Sequence, residues 1–208
     1  MNKLILVGSG GFAKELYQYL QNTDHEILGY IDKQKSAFYE LSYLGDEGSI
    51  HQSFFKEASF LLGIGQVELR ASIIAKLKAR GANFFSFIHS SAIVASDALL
   101  GEGVVLCPHS MLNAGAKLED FVLLNIYASV AHDCVVGENS ILCPYATLNG
   151  EAKTGKNCFL GTGASLLPKA RLGNNCVLSA GVMLSKSYKD NQLIFNLRTL
   201  KVKQNEKA

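Results

Sequence analysis

The sequence predicts two modules in series: a small parallel-sheet α/β domain over residues 1–90 and a three-sided parallel β-helix over 91–186. A tail over 187–208 follows. Three observations carry this reading. From Ala92 the chain repeats every six residues for sixteen hexads, from AIVASD, ALLGEG and VVLCPH onward to VMLSKS. The third place of the hexad is Leu or Val in fifteen of sixteen cases, Thr154 being the exception, and the first place is always Ala, Val, Ser or Cys. Ahead of the repeat, apolar runs alternate with amphipathic patterns of helical period, the mark of strands alternating with helices.

No helix has a period of six, but a triangular prism does. Each hexad supplies one flat face and one corner, three hexads close a coil, and residues 18 apart stack. The third-place aliphatics then form a dry axial core, and the first place must be small because the prism is narrow. All five cysteines lie inside the repeat, and Cys158 and Cys176 stack on adjacent coils about 4.8 Å apart. The odd count and the absence of a CxxC pair point to free buried thiols.

In the first module, Lys3–Val7 reads as a buried strand running into Gly8-Ser9-Gly10-Gly11-Phe12-Ala13. The next helix puts Phe12, Leu16, Tyr19 and Leu20 on one face. A second strand, Glu26 to Asp32, ends in a carboxylate, and Phe60 to Gly65 reads as a third. The helix after it is expected to carry Val67, Ala71, Ile74 and Leu77 inward, and Phe84 to Ile88 to close the sheet. Gly8, Gly10 and Ala13 satisfy G-x-G-x-x-[G/A], with Asp32 at the end of the following strand. That arrangement lets backbone approach a phosphate at a helix N-terminus while the acid reaches a ribose hydroxyl. Ninety residues supply only half of a dinucleotide fold, so a mononucleotide or nucleotide-sugar fits better than NAD. Gly65 and Gln66 end another strand beside the same crevice.

Composition narrows the function classes. A net charge of +2 with no basic run interleaved with aromatics argues against nucleic acid. The start MNKLILVGSGG is too short for a secretory apolar region, and nothing approaches a membrane span. A cytoplasmic protein is expected. Of the five histidines, His25, His51 and His89 carry no motif and His109 has no adjacent acid, so these read as solvated or structural. His132 differs. It sits at a fifth, corner place with Ala114 and Gly150 as column neighbours, which leaves an open groove beside the imidazole, and Asp133 can fix its tautomer. No metal site is expected, because the two coil histidines stand in unrelated columns.

A glycine-rich α/β module followed by hexapeptide coils with Ala131-His132-Asp133-Cys134 resembles the nucleotide-sugar acetyltransferases, a family that includes bacillosamine and perosamine N-acetyltransferases and the sialic acid O-acetyltransferase group. The resemblance covers residues 2 to 190. It implies a Rossmann-like first domain, a left-handed β-helix, a homotrimer, and acetyl-CoA as co-substrate in the groove between adjacent helices. It further implies His132 as general base with Asp133 orienting it, and Asn125 near the acceptor sugar. Gly150, Thr162 and Ala180 would lie along the acetyl-CoA arm, and Gly8 to Gly11, Asp32, Lys33, Gly65 and Gln66 in the nucleotide-sugar crevice. The activity expected is N-acetylation of a dTDP- or UDP-linked 4-amino-4,6-dideoxysugar for surface polysaccharide or O-antigen. Acetylation of a sugar hydroxyl is the alternative, and a non-enzymatic nucleotide-binding trimeric scaffold is the alternative of another class. Three departures from the family stand out: Phe12 replaces a histidine of the glycine loop, Ile141 replaces a second histidine, and Phe195-Asn-Leu-Arg198 replaces a Gly-x-Pro turn.

Overall fold

The computed structural model describes residues 2–21 and 23–196. The first module is a three-stranded parallel sheet of β1 (Lys3–Val7), β2 (Glu26–Ile31) and β3 (Ser59–Leu62), in the order β2-β1-β3. Helix α1 (Gly11–Leu20) follows β1, the single turn α2 (Phe54–Glu57) precedes β3, and α3 (Val67–Ala79) follows it. Leu4, Ile5, Leu6 and Val7 are all buried, as a central parallel strand covered on both sides requires. Phe84 reaches the sheet only through one bridge to Phe60. The strand expected at Phe84 to Ile88 is instead β4 (Phe87–Ile88), which pairs with Val105–Leu106 and opens the solenoid one hexad before residue 92.

From there two-residue strands stack in parallel, at a register of 18 except for 16 at the last strand of the first face, giving three faces of seven, six and five strands. The first face runs from Phe87 to Leu193, the second from Ile93 to Met183 and the third from Leu99 to Arg171. The first face gains one more strand from the expected tail: Leu193–Ile194 pairs with Val177–Leu178. Phe195 and Asn196 follow it, and Leu197, Arg198 and the rest of the tail lie outside the described residues.

First- and third-place side chains form one continuous buried cluster from Val104 to Leu184. Small polar atoms at the first place bond to the next coil's backbone: the Cys158 thiol donates to Gly173 O at 3.0 Å and Ser140 Oγ to Gly155 O at 3.1 Å. Thr154, the odd third-place residue, keeps this economy, since its hydroxyl accepts the Gly137 N–H at 3.2 Å. Every sixth place from Gly103 to Gly181 turns its corner with φ between +53° and +67°. That left-handed conformation explains the Gly, Asn and Asp found there.

Second-place side chains point outward and differ between faces. On the first face they are Phe87, Val105, Leu123, Ile141, Phe159 and Val177. The α/β domain packs on the lower part of this column, with Leu16, Leu20, Phe87, Val105, Leu123 and Ile141 in one buried cluster. Each such side chain contributes roughly 1.5–3 kcal/mol to the docking. Tyr19 turns to this interface rather than to its own sheet, stacked 6.4 Å from Phe87 and edge-on to His89 at 5.5 Å. In α3 the buried set is Val67, Arg70, Ile73, Ile74 and Leu77, while Ala71 is only half-buried. The expected inner face therefore gains a fully buried arginine, because α3 packs against the solenoid as well as against the sheet.

Candidate active site

At the carboxyl ends of β1, β2 and β3 the chain encloses a cavity of about 690 Å³, lined by Gly8 to Phe12, Asp32, Lys33, Gly65 and Gln66. All eight residues expected here from the sequence thus share one crevice. Gly8 has φ +100°, where a side chain is strained, and an added Cβ would lie 3.0 Å from Ile64 Cγ1 and 3.3 Å from Gly63 O, so the two glycine-rich turns lie close together. Asp32 is pre-set by the loop. One carboxylate oxygen accepts from Ser9 N at 2.8 Å and Ser9 Oγ at 2.6 Å, the other from Lys33 N at 2.7 Å. Ser36 Oγ donates to Ser9 Oγ at 2.8 Å and completes the ring of contacts. The same crevice is also lined by Asp46, Glu47 and Lys76, which sequence reasoning did not single out. A side-chain hydrogen bond with Ser49, together with the Ser49 and Gly48 N–H groups that Oδ1 accepts, holds the Asp46 carboxyl below the usual carboxylate range. Lys76 pairs with Glu47 at 2.8 Å, which raises the ammonium above its ordinary value.

His132 lies on the corner between the second and third faces. Its Nδ1 meets Asp133 Oδ2 at 2.9 Å, and both side chains are about two-thirds exposed, at 63% and 65%. Nε2 and Cε1 lie over Gly150 of the next coil, so closely that a Cβ there would fall 2.5 and 2.7 Å away. Gly115, one coil below Asp133, is constrained in the same way: its Cβ would meet Asp133 Oδ1 at 2.7 Å. The imidazole therefore has one nitrogen held by an acid and the other free over a bare strip of backbone. Such a pair can take a proton from a nucleophile.

Asn125, Thr162 and Ala180 occupy a different corner, between the first and second faces. Gly181 N–H donates to Thr162 O at 2.9 Å, so Thr162 and Ala180 are stacked on successive coils. Gly150 is not in line with them. A separation of 12 residues moves two faces round the prism, and only 18 returns to the same corner. Asn125 Oδ1 accepts from Ile126 N at 2.6 Å, next to the exposed Tyr127. His109, Tyr127 and Tyr145 form a stack at 5.0 Å spacing up this corner, so His109 serves packing. His25, His51 and His89 are likewise engaged locally, with Phe85, Ser53 and Ser91.

The comparisons with known proteins agree with this architecture. Residues 3–77 match the PglD N-terminal domain, 115–150 the bacterial transferase hexapeptide (six repeats), and 153–186 the hexapeptide repeat of succinyl-transferase. The α/β module is thus similar to a PglD N-terminal domain, and the coils over 115–150 and 153–186 match hexapeptide repeats. The chain's relatives are sugar N-acetyltransferases. PerB from Caulobacter crescentus, solved with CoA and GDP-perosamine, is 27% identical with a TM-score of 0.86, covering 93% of each chain. The acetyltransferase domain of PglB from Neisseria gonorrhoeae, solved with acetyl coenzyme A, is 25% identical with a TM-score of 0.82, covering 93% of this chain and 96% of that one. UDP-N-acetylbacillosamine N-acetyltransferase of Bacillus subtilis is 26% identical over 111 residues, a match that spans 51% of this chain and 51% of that enzyme.

Proposed function

We propose that the protein transfers acetyl from acetyl-CoA to the amino group of a nucleotide-linked 4-amino-4,6-dideoxysugar, in the cytoplasm, for a surface polysaccharide such as O-antigen. The observation that carries this reading is the free Nε2 of His132 over Gly150, with Nδ1 held by Asp133. The sugar amine attacks the thioester carbonyl, forming the C–N bond. Nε2 takes the amine proton, the C–S bond breaks, and the CoA thiolate leaves and is protonated. General-base help of this kind is typically worth about 10²–10⁴-fold, and holding both substrates in one groove supplies much of the rest. In this proposal a backbone N–H from the coil carrying Gly150 stabilises the oxyanion.

The reading also requires a second copy of the chain. The crevice belongs to a domain seated on the first face, whereas His132 stands on the opposite edge of the prism. The second face lies between the two corners that matter; its outward column is exposed and apolar at Ile93, Met111 and Met183 and carries Ser129, Thr147 and Ser165 between them. A neighbour packed against that face brings the Asn125, Thr162 and Ala180 corner of one copy to the His132 and Gly150 corner of the next. A homotrimer closed in this way lays acetyl-CoA in the groove between copies, with the nucleotide-sugar held by Gly8 to Gly11, Asp32, Lys33, Gly65 and Gln66.

A thiol-release assay with acetyl-CoA tests the proposal, run against amino- and hydroxy-sugars linked to UDP, dTDP and GDP. Release is expected with an amino-sugar nucleotide. In His132→Ala it is expected to fall about a hundredfold or more while acetyl-CoA affinity is kept. Near-normal turnover in that variant removes His132 as the base, and thiol release only with hydroxy-sugars moves the activity to O-acetylation.

A further inference from the structure

Arg70 is fully buried, yet its charge meets no carboxylate among the described residues. Its donors go to three neutral acceptors on three separate segments. Nε donates to Asn139 Oδ1 at 3.1 Å, one terminal nitrogen to Ile64 O at 3.1 Å, and the other to Phe121 O at 2.6 Å. Phe121 and Asn139 are left-handed corners on successive coils of the solenoid, where the third face turns into the first. Ile64 belongs to the crevice wall, between Gly63 and Gly65. The surroundings lock that wall further. Asn139 Nδ2 donates to Val67 O at 3.0 Å, Gly63 N–H donates to Val7 O at 2.9 Å, and Gly63 abuts Ala13 too closely for a side chain.

A buried guanidinium without an anion is costly, and burial lowers its pKa to about 10. Simple docking of two domains does not need it, since the apolar column of the first face already supplies that contact. What the fork does that a methionine would not is fix the Ile64 carbonyl, and with it the Gly63–Gln66 turn, relative to two rigid coils.

We propose that Arg70 is the positioning residue of the nucleotide crevice: it sets the Ile64–Gln66 wall against the solenoid and so determines nucleoside-diphosphate affinity. This rests on the crevice being the nucleotide site proposed above. Arg70 touches neither substrate in this account and acts through Ile64 and Gln66. Lysine keeps the positive charge but cannot reach three acceptors at once, so R70K isolates the fork from the charge.

The experiment measures calorimetric binding of UDP, dTDP and GDP to the full-length wild type, R70K and R70M, with melting temperatures for each. It adds steady-state KM values for the sugar nucleotide and for acetyl-CoA. In R70K, nucleoside-diphosphate affinity and sugar-nucleotide KM are expected to worsen about tenfold or more, the size of one lost charged hydrogen bond. Acetyl-CoA KM and kcat at saturation should stay within about twofold, as a readout that general loosening would move. R70M is expected to bind still more weakly and to melt lower. If R70M does not fold, R70K alone decides. Unchanged nucleotide affinity in R70K overturns the proposal, as does an equal rise in both KM values. Failure of the underlying reading looks different, because the wild type itself would then bind none of the three diphosphates.

Discussion

The imidazole of His132 occupies the space that any side chain at Gly150 would need: a Cβ there would lie 2.5 Å from Nε2. The glycine carries no left-handed backbone requirement, so its reason is the ring above it. Gly150→Ala is therefore expected to fold, with a melting temperature within a few degrees of wild type, and to push the imidazole aside. A misplacement of this order costs about 10²-fold in kcat. Combined with His132→Ala the second change should cost nothing more, since the two act through one ring. Circular dichroism and the thiol-release rate of the four proteins check this.

Asp133 offers a separate test of the same pair. It sits at φ +59°, a conformation that asparagine tolerates, so Asp133→Asn leaves the corner intact and removes only the charge. The amide can still meet Nδ1, but it no longer steadies a protonated ring. A loss of about 10- to 100-fold in kcat is expected, the worth of one hydrogen bond to a charged group. Acetyl-CoA binding should be unchanged.

The hexad made the solenoid legible because six residues per face is a covalent period, visible at Leu106, Leu112 and Leu118 without any partner. The glycine loop and Asp32 were legible for a similar reason, since strand, turn and helix are contiguous. The docking face was written in the sequence too, as apolar second places at 18-residue intervals from Phe87 to Val177, but only the structure shows what covers them. The last strand expected in the first module went elsewhere because Phe87–Ile88 obeys the strand pattern of either module, and tertiary pairing gave it to the solenoid. Arg70 was not legible, because a charged residue on a helix ordinarily faces water. The setting apart of Gly150 from Thr162 and Ala180 follows from counting coils.

An asparagine ladder on the corner between the third and first faces gives a stability prediction. Asn139, Asn157, Asn175 and Asn191 are joined by side-chain bonds of 3.0 to 3.1 Å, each at a left-handed φ. Asn157→Gly loses two of these bonds but keeps the corner, whereas Asn157→Ala also adopts an unfavourable φ. The alanine variant is expected to be less stable than the glycine variant by about 1–2 kcal/mol. Urea unfolding of the pair checks this, and turnover should be unaffected.

Thiol chemistry should be slow throughout the coils. Burial pushes Cys143 and Cys158 up to about 11 and raises Cys107 and Cys134 as well. The thiolate is the reactive form, so little of it is present near neutrality. Disulfide-exchange reagents at about pH 7.5 are expected to label the native protein far more slowly than the urea-unfolded chain, which should release close to five equivalents. Rapid labelling of Cys134, Cys158 or Cys176 in the native state would contradict the packing described for the first places.

His89 gives the fold its own acid sensitivity, at the seam between the modules. Its ring is half-buried against Tyr19 and Phe87, and Nδ1 meets Ser91 Oγ at 2.8 Å. Burial, and secondarily the nearby His109, hold its pKa below the ordinary histidine value. The folded chain therefore binds this proton less readily than the unfolded one. Above the unfolded value of roughly 6.5 the ring is neutral in both states and stability is complete. As pH falls through that value, the unfolded chain gains a proton that the folded chain refuses, and stability declines until the lower folded value is passed. Between about pH 7.5 and about pH 5.5 the melting temperature is expected to drop in wild type and to drop less in His89→Gln, which cannot take up the proton. Parallel scanning calorimetry of the two proteins measures the difference, and equal slopes would place the acid sensitivity elsewhere than at this seam.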